Sequence, residues 1–243
     1  MASHAIFYER AVPLQLDRHG QWRLARTSGY EFSRTANCVP IMAVEFLKAA
    51  REYPLVFLEQ NSTILPVGLL GLRQGENFCL HASGAWRGEY VPAYIRRYPF
   101  IFAASEDSSQ FTLCIDEDYA GFSPQADGEV LFDKDGSHSA YLKNVLAFMK
   151  EYELQYRRTR EFCQIVKDLE LLEPMQARFT LADEEKVALS GFFSVSRDRL
   201  QKLSGDKISD INANGVLELM YCHLFSMENF SRLAKVAQKT NST

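Results

Sequence analysis

The chain lacks the marks of most well-defined function classes. Its first ten residues hold no apolar run of secretory length, so a cleaved leader is not expected. The most apolar stretch, Ile64-Leu-Pro-Val-Gly-Leu-Leu-Gly-Leu72, falls well short of the roughly 20 residues that span a bilayer, so membrane insertion is not expected either. The five cysteines (Cys38, Cys79, Cys114, Cys163, Cys222) are odd in number and far apart. They encode neither a disulfide framework nor a zinc site of the C-x-x-C kind. Most have apolar neighbours, as buried free thiols do, and a reducing cytoplasm is the expected location. Asn61-Ser-Thr63, Asn229-Phe-Ser231 and Asn241-Ser-Thr243 match the glycosylation acceptor pattern, which carries no weight without a leader.

Catalytic and nucleotide templates are missing too. Gly68, Gly71 and Gly75 do not fit G-x-G-x-x-G, and neither a Walker loop nor G-x-S-x-G occurs. Ser204-Gly-Asp-Lys207 formally matches S-x-x-K without that motif's partners. His4, His19, His81 and His138 form no H-x-H, H-x-x-x-H or H-x-D pair. No metal and no cofactor is expected. Cations are not in surplus: 27 basic against 31 acidic residues give a net charge of −4, and nothing chain-wide draws the protein to nucleic acid or anionic lipid. A local basic patch remains compatible with that balance.

What is present is a globular composition. The 243 residues are 47% apolar and 24% charged, enough for a sizeable core. The first half predicts strands around Trp22-Arg-Leu24, Pro54 to Leu58 (buried on both faces), Thr63 to Leu72, Asn77 to Ala82, Phe100 to Ala103 and Phe111 to Ile115. A helix is expected over Val39 to Arg51, and a short one within Gly88 to Phe100. In the second half the apolar period changes. Ser139 to Leu172 predicts a long helix ended by Glu173-Pro174. Ala177 to Leu181 and Lys186 to Val195 predict a hairpin joined by Ala182-Asp-Glu-Glu185. A short helix follows over Ser196 to Leu203, and a last one over about Asn214 to Gln238. The expected fold is one α+β domain over 1–243. Its β-rich, mostly antiparallel lobe covers about 1–135, and its helical lobe, with the long helix and hairpin, covers about 136–240. Gly121 to His138 offers the best internal boundary or a long surface loop.

The densest chemistry lies in Gly88-Glu-Tyr-Val-Pro-Ala-Tyr-Ile-Arg-Arg-Tyr-Pro-Phe100, with three tyrosines and two arginines in thirteen residues. Rings with guanidinium groups suit a binding face, since arginine grips carboxylates bidentately and tyrosine supplies contact area at small entropic cost. In a helix Tyr90, Tyr94 and Arg97 share a face and Arg96 points elsewhere. Tyr90, Tyr94, Arg96, Arg97 and Tyr98 are the candidate binding residues, together with the acidic turn Asp116-Glu117-Asp118, which would orient the arginines. The competing structural reading makes the arginines ion-pair partners of that turn within the fold. Either way the two segments meet.

The acidic turn also offers oxygens to a hard cation, although a solvated turn is the default. Asp133-Lys-Asp-Gly136 has the start of a calcium loop but not its later ligands, and reads as a plain turn. His223 sits on the apolar face of the final helix and reads as a hydrogen-bonded core residue. The Phe, Met and Leu stripe of that helix reads as a core face, or as a docking face if exposed.

Several stretches resemble the SapC family across almost the whole chain. They include Val12-Pro-Leu14, Pro54-Leu-Val-Phe57, Val67 to Leu72 with Gly75-Glu-Asn77, and Gly88 to Phe100. Leu113 to Asp118, Leu131-Phe-Asp133, Arg158 to Phe162, Leu189 to Phe193 and Leu219 to Phe230 continue the match. The family takes its name from a bacterial gene linked to surface-layer protein export. Its relatives often accompany genes for outer-membrane receptors, halogenase-like flavoproteins and cupin-like oxygenase candidates. The resemblance implies a role in handling or modifying a protein or peptide and carries over no catalytic residue.

Three readings follow. The first is an accessory protein that binds a protein or peptide and assists its export or modification. It expects Tyr94→Ala or Arg97→Ala to abolish capture while leaving thermal stability nearly unchanged. The second is an enzyme of unrecognised type that modifies a peptide or protein, with or without a metal, through Asp116, Glu117, Asp118 and a histidine supplied by the fold. The third is a structural subunit docking through the final helix. Homo-oligomerisation is left open.

Overall fold

The apolar runs of the first half form short antiparallel strands. The computed structural model describes residues 6–26, 29–104, 110–180 and 186–240. The elements begin with β1 (Ala11–Pro13), α1 (Leu16–His19), β2 (Arg23–Ala25), β3 (Cys38–Pro40) and α2 (Phe46–Ala49). Next come β4 (Leu55–Gln60), β5 (Thr63–Leu69), α3 (Ala93–Arg96), β6 (Phe100–Ala104) and β7 (Phe111–Asp116). β8 (Phe122–Ser123) and β9 (Gly128–Val130) precede α4 (Ala140–Asp168), β10 (Leu172–Thr180) and β11 (Lys186–Val195). The chain closes with α5 (Arg197–Gln201), α6 (Gly205–Ala213), α7 (Val216–Ser226) and α8 (Asn229–Thr240). The fold class is α+β, as expected.

Among the described residues three antiparallel sheets result, ordered β1-β7-β6, β8-β2-β9 and β10-β11-β4-β5-β3. In the last, the late hairpin joins the early strands where Phe193 pairs with Phe57. This sheet is covered on both faces, which is why Leu55, Val56 and Phe57 are all fully buried. Leu55 and Phe57 share a core with Phe162 and Val166 of α4 and Met220 of α7. Val56 packs instead in a cluster with Phe230, Leu233 and Ala237 of α8. A strand buried on both faces reads as a continuous apolar run.

Helix α4 is 29 residues long, or about 44 Å at 1.5 Å per residue. Ser139 caps it by accepting from Leu142 N at 3.1 Å, and the same hydroxyl donates to Val130 O at 2.6 Å. The helix ends at Asp168, before the expected Glu173-Pro174. Glu170 takes a left-handed φ of 55° and Leu171 N returns to Val166 O, closing the last turn. Pro174 lies within β10.

Three other expectations are revised. Val39 and Pro40 extend as β3 against Gly68 and Val67, so the expected helix shrinks to a 3-10 turn at Ala43–Glu45 running into α2. Asn77 to Ala82 is not a strand; the Asn77 side chain holds the backbone irregular by donating to Ser33 O and accepting from Cys79 N. The final helix is two helices, because Asn229 Nδ2 donates to Ala50 O and Tyr53 O and turns the chain over the second sheet face. The late hairpin carries a bulge at Ser190-Gly191 opposite Gln176, where Gly191 supplies a φ of 83°. His4 and the Ala182–Glu185 connection lie outside the described residues.

Candidate functional site

The 88–93 backbone is held by two carboxyl groups that the sequence reading did not single out. Glu52 Oε1 accepts from Glu89 N and Tyr90 N at 3.1 and 2.9 Å. Glu45 is 3% exposed; its Oε1 accepts from Tyr90 Oη at 2.6 Å and Ala93 N at 2.7 Å. Its Oε2 accepts from Met42 N at 2.8 Å. Tyr90 precedes Pro92 and stands outside α3, so the expected three-residue helical face is reduced to Tyr94 and Arg97.

Those two face the protein interior. The Arg97 guanidinium stacks on the rings of Tyr94 and Tyr152, 4.1 and 4.8 Å from their centroids, with Tyr8 at 5.8 Å. Tyr94 is wholly buried and its hydroxyl accepts from Ile6 N at 2.9 Å. Burial pushes the Tyr8, Tyr94 and Tyr152 phenols up, so Arg97 sits among neutral hydroxyls and ring faces. Arg96 points the other way, as expected. It is exposed, donates from Nε to Val91 O at 3.0 Å and lies over Phe148.

The acidic turn does not engage either arginine as an ion-pair partner; its cations come from the N-terminal segment. Asp116, 1% exposed, accepts from Arg10 N, Tyr98 Oη and Glu9 N at 2.9, 3.0 and 3.2 Å. Glu117 pairs with Arg10 at 2.7 Å and Arg18 at 2.5 Å, and contacts His19 Nε2 at 3.1 Å. His19 Nδ1 accepts from Gln15 N, which leaves Nε2 to donate to Glu117. Asp118 is exposed and takes the Arg10 fork. The two segments meet through Tyr98 and Asp116, not through arginine. The fold does bring a histidine to the acidic turn, but neither His19 nor Glu117 borders any of the cavities described here.

Beside Tyr98 a cleft of about 300 Å³ opens. Its walls are Tyr30, Phe32, Tyr98, Tyr119 and Tyr141, with Arg96 at one side. Phe32 and Tyr98 stack at 4.1 Å, and Tyr119 meets the Tyr98 ring edge-on at 5.0 Å. Arg26 and Glu129 pair across the rim at 3.3 Å. Burial, with Glu129 adding to it, pushes the Tyr141 phenol up to about 12, so it stays a hydrogen-bond donor at neutral pH. Of the eight residues picked out in the sequence, Arg96 and Tyr98 line this cleft. Tyr94, Arg97, Asp116 and Glu117 lie buried behind it, Tyr90 is anchored by Glu45, and Asp118 is on the surface with Arg10. Tyr30 with Phe32, Tyr119 and Tyr141 come from three separate stretches, so only the fold assembles them.

The remaining sequence candidates resolve structurally. Asp133 to Ser137 is a turn in which Gly136 N donates to Asp133 O and Gly136 takes a φ of 83°. Ser204 caps α6 by accepting from Lys207 N. His223 is buried; its Nε2 accepts from Val195 N at 3.0 Å and contacts Ser194 Oγ at 3.0 Å. Burial pulls its pKa down to about 4. Among the described residues no three His, Cys, Asp or Glu side chains converge as a metal site. No helix among them is long and apolar enough to cross a membrane.

A family model described as SapC matches residues 14–233 of the chain. No curated protein and no solved structure matches it.

Proposed function

The chain belongs to the SapC family, and from that membership and the aromatic cleft we propose an accessory protein that binds a protein or peptide and assists its export or modification. The observation that carries the binding half is the cleft itself, a concave surface of tyrosine rings flanked by an exposed arginine. Tyrosine-rich surfaces bind with large contact area and few rotors to freeze. The exposed Arg96 guanidinium suits a carboxylate on the incoming segment. Arg96 and Tyr98 touch the partner in this reading. Tyr90, Tyr94, Arg97, Asp116 and Glu117 hold the wall in place, and Asp118 braces Arg10. The export or modification half follows from what the family resemblance implies. Acid–base chemistry through Asp116 or Glu117 is not favoured, because their oxygens are occupied by internal donors.

The test is selection from a random peptide library against the purified protein, with Arg96→Ala and Tyr30→Ala as counter-selections. Peptides held at micromolar affinity by the native chain and weakened at least about tenfold (about 1.4 kcal/mol) by either change support the reading. Enrichment of none, or binding by both variants as tight as by the native chain, removes it.

A further inference from the structure

A second groove, of about 410 Å³, lies between the β4–β5 turn and the C-terminal half of α4. Arg157, Arg160, Gln164 and Lys167 follow one another at i, i+3, i+7 and i+10, so they share a helix face. That face looks at Ser62 and Thr63 across the groove. The turn is a two-residue hairpin loop in which Asn61 and Ser62 both adopt positive φ, 50° and 61°. This twist-matched geometry fixes the turn against the helix.

The groove is rich in donors and positive. Three cations line it against one carboxylate, Glu161, in a chain whose net charge is −4. Gathering like charges on one helix face is destabilising by itself. Lys167 is partly compensated by Glu59 at 3.6 Å, and its Nζ reaches Ser62 O at 3.5 Å. Arg157 lies over the Phe111 ring at 5.7 Å, a contact that leaves its N–H fork to solvent. Arg160 is exposed and makes no hydrogen bond or ion pair among the described residues. The buried Cys163 thiol in the lining is pushed up to about 12 by burial and is no nucleophile there.

We propose that this groove is a docking site for an acidic peptide segment, laid along α4 with its carboxylates on Arg157, Arg160 and Lys167. The helix rise sets those cations over about 15 Å. An extended chain advances about 3.3 Å per residue, so a run of Asp or Glu presents several carboxylates within that span. The lining argues against a single nucleic acid strand, because no aromatic ring borders the groove to stack a base. The site shares no lining residue with the aromatic cleft and stands independently of it.

The experiment is fluorescence anisotropy on the full chain with a labelled peptide of alternating Glu and Ser, and the same peptide with Gln for Glu. The acidic peptide should bind at least about tenfold tighter than the neutral one at about 50 mM salt, and lose most of that advantage at about 500 mM. Arg157→Gln combined with Arg160→Gln should remove the difference without moving the melting temperature, since both side chains are exposed. Lys48→Gln, an exposed cation outside both the groove and the aromatic cleft, should leave it intact. No preference for the acidic peptide, native-level preference in the double variant, an equal loss in Lys48→Gln, or tighter binding of oligothymidine than of the peptide would each overturn the assignment.

Discussion

Tyr98 donates from its hydroxyl to the buried Asp116 at 3.0 Å while its ring stacks on Phe32 at the wall of the cleft. One side chain therefore joins the acidic turn to the proposed binding surface. Tyr98→Phe keeps the ring and leaves Asp116 one donor short. The expected loss is about 1–3 kcal/mol in urea unfolding, with affinity for a selected peptide nearly unchanged. A fall in affinity without a fall in stability would instead put the hydroxyl in contact with the ligand.

Burial divides the two neighbouring arginines. Arg97→Ala removes a cation packed on three rings and opens a cavity among them, which should cost about 2–4 kcal/mol. Arg96→Ala should stay within about 0.5 kcal/mol of the parent in unfolding and act on peptide capture. The sequence-based expectation that Tyr94→Ala or Arg97→Ala spares stability is thereby replaced. Side-by-side melting curves and capture assays of Arg96→Ala and Arg97→Ala check the division.

Glu45 ties three donors, on Met42, Tyr90 and Ala93, to one buried carboxyl. Glu45→Ala strands all three and should destabilise by about 3 kcal/mol or more. Glu45→Gln retains one acceptor oxygen and should fall between that variant and the native chain. Equal unfolding midpoints for the two variants would refute this account of the 88–93 anchor.

His223 supplies a pH dependence. Its folded pKa of about 4 lies below the unfolded 6.5, so the unfolded state takes up the proton first as pH falls. Its contribution is complete above about pH 6.5 and is lost progressively down to about pH 4. Between pH 6.5 and 5 the loss from this group is about 2 kcal/mol. Urea unfolding at several pH values measures it, and His223→Gln should flatten that part of the profile.

Much of the fold was legible because its central strands β4 and β5 are largely buried and its long helix is amphipathic. Leu55 to Phe57 declare a doubly covered strand by apolar content alone, and Ser139 announces the start of α4. The missed features depend on distant partners. Asn229 breaks the last helix only because the carbonyls of Ala50 and Tyr53 wait beneath it, and Val39 extends only because β5 offers an edge. At the site, local density correctly drew attention to residues 88–100. Spacing could not say which arginine is sealed by Tyr94 and Tyr152, nor that Tyr30, Tyr119 and Tyr141 gather around Tyr98.

The pairing of Phe57 with Phe193 has a consequence for biosynthesis. When β4 and β5 leave the ribosome, the strand that completes their sheet has not been made. At about 5–20 residues per second that wait is on the order of ten seconds. During it the free side of β4 is a hydrogen-bonding edge bearing Leu55, Val56 and Phe57, the kind of segment that seeds aggregation when left open. A nascent chain of this protein truncated before residue 186 should therefore need a chaperone that the full-length chain does not.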